Sequence, residues 1–289
     1  MTGNRFNNNI NLHSIDTLKV KEFNRLSNFI MSQYGIKMPP VKRVFLQSRL
    51  QKRLKSLSIN SFEEYTKYLF SAQGQKEELE NLIDSVSTNK TDFFREPVHF
   101  RFLLENGLDN YLSKRKDKGL KIWSAGCSSG EEPFSIAMTM NEYALLNDSF
   151  RFKIFATDIS TKMLEHAKAG IFKMEKIDTI PIQYHRKYLL KGKNSYEDKF
   201  RIHPDIMSKI SFQKFNLLSQ SYNTIGNQDI IFCRNVLIYF ERKIQDRILN
   251  QISQLLNPGG FLFLGHSESI TGFNLPLEYL RPTIFMKKE

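Results

Sequence analysis

Apolar positions recur at helical spacing through the first third of the chain; beyond it they gather into short runs separated by helical stretches. From Leu18, the positions Phe23, Leu26, Phe29, Ile30 and Tyr34 repeat every three or four residues until Gly35, which predicts a helix with a stop. Pro39 and Pro40 introduce a second, Val41 to about Leu57, whose stripe is Leu46, Leu50, Leu54 and Leu57. Ser61 and Glu64 stand at capping-box spacing before a third helix reaching Phe70, and Gln75 to Val86 reads as a fourth. The Asn-rich stretch 1–15 has no such period and reads as a disordered tail. Residues 16–90 therefore form a small all-helical domain.

From Leu120 the period alternates. Lys121–Ala125, Phe152–Thr157, Ile210–Phe215, Asp229–Phe232 and Phe261–Leu264 read as strands, and Tyr279–Met286 as a last one. Helical patterns over Glu131–Leu146, Thr161–Ala169 and Arg242–Leu256 lie between them, and Pro258, Gly259 and Gly260 predict a turn. Alternating β and α units imply an α/β fold, a doubly wound and mostly parallel sheet, over residues 91–289. Between about 177 and 209, Pro181, Gly192, Asn194 and Pro204 interrupt the rhythm, which marks an inserted β subdomain.

Composition narrows the class. The chain has 289 residues, is 40% hydrophobic and carries 24 Phe, enough for a sizeable core. No apolar run reaches the ~18 residues of a membrane span, and the first residues lack a signal-peptide pattern, so a cytoplasmic, monomeric protein without direct membrane insertion is expected. The two cysteines, Cys127 and Cys233, sit at predicted strand ends without metal-ligand or disulfide spacing; they read as small buried thiols, and no metal is expected.

The net charge of +12 calls for a polyanionic partner. It concentrates in the second helix: Lys37, Lys42, Arg43, Arg49, Lys52, Arg53 and Lys55 occur with no acid among them. Lys42, Arg49 and Arg53 line up beside the leucine stripe. With no acids present to form i, i+4 pairs, Lys42, Arg49, Lys52 and Arg53 are candidates for docking an acidic partner.

The chemistry gathers around Lys121–Pro133, KIWSAGCSSGEEP. A strand ends at Gly126, small residues turn at Gly130, and a helix opens with Glu131 and Glu132. Such a turn lies at the carboxyl edge of a parallel sheet, where ligands bind. The glycine spacing is not that of a dinucleotide fingerprint, and acids at a helix entrance disfavour a phosphate. They suit a cationic, phosphate-free nucleoside, and S-adenosylmethionine is one. Asp158, at the end of the second strand, can accept ribose hydroxyls; Asn216 and Asn235, at later strand ends, can add polar contacts.

Five motifs then occur in order: T-N-x-T-x-F-F-R (Thr88–Arg95), W-S-A-x-x-S-x-G-E-E-P (Trp123–Pro133), A-T-D-I (Ala156–Ile159), F-C-R-N-V-x-I-Y-F (Phe232–Phe240) and G-H-S-E-S (Gly265–Ser269). Along nearly its whole length the chain resembles the CheR-type chemotaxis receptor methyltransferases. The resemblance implies a Rossmann-like methyltransferase sheet, S-adenosylmethionine as cofactor with S-adenosylhomocysteine as product, and transfer of its methyl group to glutamate side chains on the helical cytoplasmic bundle of chemoreceptors. It places cofactor contacts on Asn89, Thr91, Arg95, Glu132, Asp158, Asn216, Leu217, Arg234 and Asn235, with Glu131 competing for the role of Glu132. In some members the inserted element tethers a receptor's C-terminal peptide, so a peptide partner for Leu190–Pro204 stays open.

A glutamate acceptor, with a reference pKa of about 4.3, is ionised at neutral pH and needs no general base. Arg95 and Tyr239 are the candidates for orienting it. Cys127 has no histidine partner in the sequence pattern, and Gly265–Ser269 lacks the closing glycine of a nucleophile elbow, so both read as structural, with His266 a loop histidine. Two other classes are compatible with the charge. A nucleic-acid methyltransferase disagrees with the Asn235–Tyr239 run, which is not the Pro-Pro signature of amino-methyltransferases. A non-catalytic, cofactor-binding receptor adaptor disagrees with intact Arg95 and Tyr239.

Overall fold

The computed structural model describes residues 17–115 and 119–288; the expected tail over 1–15 lies outside them. The described residues divide into two compact units, one within 17–30 and 38–86, the other within 31–37 and 87–288.

The first unit is all-helical: α1 (Val20–Tyr34, whose last turn belongs to the second unit), α2 (Arg43–Ser56), α3 (Phe62–Leu69), α4 (Ala72–Glu77) and α5 (Leu79–Val86). The periodic positions Phe23, Leu26, Ile30, Leu46, Leu50 and Leu54 are all buried, with Phe62, Tyr65, Leu69, Leu82 and Ile83. The Ser61 side chain caps α3 by accepting from the Glu64 amide at 3.2 Å. The expected fourth helix is two. Ser71 caps α4 through the Gly74 amide, and the chain breaks at Glu78, whose carboxylate turns inward.

The second unit begins with α6 (Val98–Phe102), a π-turn (Leu103–Gly107) and α7 (Leu108–Ser113). It continues β1 (Gly119–Ala125), α8 (Glu131–Leu146), β2 (Arg151–Asp158), α9 (Thr161–Ala169), β3 (Ile171–Lys173), α10 (Ile182–Tyr188), β4 (Leu189–Lys191), β5 (Lys199–Ile202), α11 (Pro204–Met207) and β6 (Ile210–Lys214). It closes with β7 (Gln228–Cys233), α12 (Arg242–Leu255), β8 (Leu256–Leu264), β9 (Leu277–Arg281) and β10 (Ile284–Lys287).

Seven strands form the main sheet in the order β6-β2-β1-β7-β8-β10-β9. The first five are mutually parallel; β10 runs antiparallel to β8, and β9 in turn pairs antiparallel with β10. This is a doubly wound, Rossmann-like sheet whose order reverses between β1 and β7, and the crevice at their carboxyl ends is where such sheets bind ligands. β7 is buried at every position, as expected of a central parallel strand covered on both faces. Two sequence expectations change. Tyr279–Met286 is not one strand but a hairpin that turns at Pro282 and Thr283. Pro258–Gly260 does not separate helix from strand: β8 starts at Leu256 and absorbs these residues as a register shift against β7.

The insertion is a second, three-stranded antiparallel sheet, β3-β5-β4. It starts at Ile171, immediately after Gly170 closes α9 in a left-handed conformation, and so earlier than the punctuation at 177 suggested. Phe172 and Phe200 pack with Phe93 of the connecting segment, the Phe93 and Phe172 rings meeting edge to face at 4.8 Å. No helix among the described residues is long and apolar enough to cross a membrane.

Candidate functional site

Each sheet strand that faces the switch point delivers a polar group at its carboxyl end. β1 runs into the turn 126–130, where Gly130 takes φ +99° and caps α8; an L side chain is strained there, and its Cβ would meet Ala167 and Phe134 at 2.9 Å. β2 ends in Asp158, which is buried. Its Oδ2 accepts from the Ser128 amide at 2.7 Å and its Oδ1 from the Ser160 amide at 2.9 Å, so the carboxylate is held by the turn beside it. β7 ends in Arg234 and Asn235, the latter at φ +59°.

The segment before α6 lies across this edge. The Asn89 carbonyl accepts from Ser128 Oγ at 3.1 Å, and the Phe94 amide donates to Ser135 Oγ of α8 at 2.9 Å. Lys176, from the insertion, donates to the Thr91 carbonyl at 2.9 Å and to Glu131 at 2.5 Å. Arg234 donates to the Arg95 carbonyl at 2.6 Å. Ser87–Arg95 is thus a segment fastened at both ends, with Phe94 and Glu96 in left-handed conformations. Arg95 itself is half-buried, and its guanidinium donates to the Lys90 carbonyl at 3.2 Å.

The two acids that open α8 have different partners. Glu131 is almost fully buried and held by Lys176 and Ser129. Glu132 accepts from Ser124 Oγ and from Arg234 Nε, both at 2.7 Å. Both carboxylates thus have a cationic partner within the protein, Lys176 for Glu131 and Arg234 for Glu132. The buried guanidinium of Arg234 joins Glu132 to Glu96, whose Oε2 lies 3.6 Å away, so its observed work is to bind the edge together.

The remaining predicted contacts follow β6 and β7. The Phe215 amide donates to the Asp158 carbonyl at 3.0 Å, placing Asn216 and Leu217 beside the end of β2. Asn216 is folded on itself through the Leu218 amide and donates to the Gln33 carbonyl, both at 2.9 Å. Leu217 is buried. Tyr239 ends a short 3-10 turn, Leu237–Tyr239, and its carbonyl accepts from the Lys37 amide at 3.0 Å. Asn89, Thr91, Arg95, Glu132, Asp158, Asn216, Leu217, Arg234, Asn235 and Tyr239 are therefore all in the second unit, and Arg234 bonds directly to Glu132 and to the Arg95 carbonyl.

The basic residues of α2 belong to the first unit. Arg49 and Lys52 are exposed and Lys42 half-exposed; the Arg49 guanidinium stands over the Phe45 ring. Arg53 is different. It grips the buried Glu78 with Nε to Oε1 at 2.9 Å and Nη2 to Oε2 at 2.6 Å, and Tyr65 donates to the same carboxylate. The acid missing from the helix's own sequence comes from the turn between α4 and α5, so Arg53 is removed from the free cationic face.

Sequence reading passed over several residues of this edge. Lys176 gave no local signal, because its partners are 45 and 85 positions away. Glu96, His99 and His266 bring potential ligand atoms within 4.8 Å of one another. However, the Arg234 guanidinium lies 3.2 Å from His99 Nδ1 and already supplies a cation there. Burial, then Arg234, then His266 push His99 down to about 3, so it is a neutral imidazole. Burial likewise raises the Cys127 and Cys233 thiols well above their usual range, which matches inert core cysteines.

The arrangement disfavours a phosphate-bearing ligand. Carboxylates occupy the first turn of α8, where a phosphate would otherwise bind, and Asp158 stands at the end of β2, the place of the ribose-binding acid in nucleoside-binding sheets. The comparisons agree. Residues 89–285 match the model of the CheR methyltransferase, SAM binding domain, and residues 21–87 that of the CheR methyltransferase, all-alpha domain. A chemotaxis protein methyltransferase of Borreliella burgdorferi is 38% identical over 98% of this chain and 98% of its own length. That of Escherichia coli is 38% identical over 86% of this chain and 84% of its own, and that of Salmonella typhimurium 37% over 89% and 86%. With both domains matched and relatives 37–38% identical over most of their own length, the chain belongs to the CheR family of S-adenosylmethionine-dependent chemotaxis methyltransferases.

Proposed function

We propose that this protein methylates glutamate side chains of chemoreceptor cytoplasmic helices, forming γ-methyl esters in sensory adaptation. The observation that carries the reading is the engagement of the carboxylates at the site edge. Glu131 is held by Lys176, Glu132 by Arg234 and Asp158 by two amides, while His99 faces a guanidinium. Such a site is poor at removing a proton and suits an acceptor that is already ionised, as a glutamate is at neutral pH.

When bound, the cofactor supplies an electrophilic methyl group. The residues in named roles are Asn89, Thr91, Arg95, Glu132, Asp158, Asn216, Leu217, Arg234 and Asn235 around it, with Asp158 as the ribose acceptor and Arg234 acting through Glu132. Arg95 and Tyr239 orient the incoming carboxylate. Orientation rather than tight ground-state binding is what accelerates such a transfer. Lys42, Arg49 and Lys52 steer an acidic helix by charge. The protein works in the cytoplasm on receptor helices, and the insertion can add a receptor tail peptide.

The test is transfer of labelled methyl from S-adenosylmethionine to a receptor cytoplasmic fragment. Alkali-labile label on glutamate is expected, and Arg95→Ala should cut the rate at least ~100-fold, as for a group that positions the reacting atoms. Label that survives alkali, or near-normal turnover in that variant, would sink the reading.

A further inference from the structure

The G-H-S-E-S motif contributes no group to the chemistry above, yet it contains a buried carboxylate that the reaction does not use. Glu268 follows β8, and its side chain reaches the loop after β7. Its Oε1 accepts from the amides of Val236 at 2.9 Å and Leu237 at 2.7 Å, and its Oε2 from Asn235 at 2.9 Å and Gly265 at 2.6 Å. Four main-chain donors converge on one carboxylate.

The loop they belong to begins at Asn235, in the left-handed region at φ +59°, and ends at Tyr239. Its carbonyl side is also gripped: Gln245 of α12 donates to the Leu237 and Phe240 carbonyls at 2.9 and 3.1 Å. Gly265 makes the approach possible, since a Cβ there would lie 2.4 Å from Asn235 Nδ2 and 2.8 Å from its main-chain nitrogen. Burial raises the Glu268 carboxyl above its usual range, and the amides of Gly265, Asn235, Leu237 and Val236 oppose that rise by favouring the ionised form.

We propose that Glu268 is a positioning residue for methyl transfer. By collecting the amides of Asn235, Val236 and Leu237, it sets the loop that presents Asn235 to the cofactor and Tyr239 to the acceptor. The proposal rests on the roles given to Asn235 and Tyr239 above. A glutamine keeps the shape but turns an NH₂ group toward two of the four amide donors; an aspartate keeps the charge but withdraws it by one methylene.

The experiment compares wild type, Glu268→Gln, Glu268→Asp and Asn235→Ala. Calorimetry gives S-adenosylmethionine affinity, and amide hydrogen exchange is followed over 235–237. Glu268→Gln should speed exchange there at least tenfold and weaken affinity at least tenfold, with other strand amides still protected, and Glu268→Asp should recover part of both. Freed amides with unchanged affinity, or unchanged exchange, would overturn the proposal. Unchanged affinity in Asn235→Ala overturns only the reading of Asn235 as a cofactor contact. It does not touch the exchange result that reports on Glu268.

Discussion

Arg234 and Arg49 carry the same group and use it in opposite ways. Arg234 is 6% exposed, and its guanidinium is divided among Glu132, Glu96, the Arg95 carbonyl and His99. Arg49 projects from α2 into solvent over a phenylalanine ring. The first acts by geometry: in a water-poor environment its bonds are strong, and losing one partner strands the others. The second acts at a distance, in solvent that salt can screen. Arg53, four residues along the same helix as Arg49, sides with Arg234 because Glu78 lies buried beneath it.

The largest effect that would break this contrast is at Arg234. Arg234→Ala leaves the Glu132 and Glu96 carboxylates without their cation, and the expected loss is about 3–5 kcal/mol of unfolding free energy in urea, the usual cost of breaking a buried pair. A loss under about 1 kcal/mol would mean the pair is solvated after all. The next effect separates neighbours on α2. Arg53→Ala should cost about 2–4 kcal/mol by stranding Glu78, whose side chain is 1% exposed, with little direct effect on acceptor docking. Arg49→Ala should leave the melting temperature nearly unchanged and slow receptor methylation severalfold, a deficit that vanishes at high salt while cofactor affinity stays constant. Equal salt sensitivity of methylation and cofactor binding would remove α2 from the docking face.

The smallest effect concerns pH. His99 is held neutral with its pKa pushed down to about 3, whereas an unfolded histidine takes a proton near 6.5. The unfolded state therefore binds more protons as pH falls below about 6.5, and stability should decline by up to about 1 kcal/mol per pH unit toward pH 5. His99→Gln should flatten that slope in urea titrations at pH 7 and pH 5. An unchanged slope would assign acid sensitivity to other groups.

Much of the molecule was readable from local pattern. Helix stripes such as Leu46, Leu50 and Leu54 are buried as their spacing requires, because periodicity reports which face must leave water. The strand-turn-helix at Gly126–Glu132 was legible for a similar reason: where a positive φ coincides with a close approach, as at Gly126 and Gly130, glycine is strongly favoured. The last hairpin was overlooked because its turn uses Thr283 at φ +62° rather than glycine, although Pro282 inside Tyr279–Met286 is a local sign of a break. The start of the insertion was missed because β3 is three residues long and lies between a helix and a 3-10 turn.

By itself the sequence determined the fold class, the order of the elements and which stretches carry chemistry, because helix and strand periods, caps and turn glycines are properties of neighbours in the chain. Tertiary structure decided who neutralises whom. Lys176 claims Glu131, Arg234 claims Glu132, Glu78 claims Arg53, and Glu268 gathers three amides of the Asn235 loop. These partners stand between 25 and 102 positions apart. Whether a charge is free or spent depends on burial and on a partner's distance in space, and neither quantity is written in local spacing.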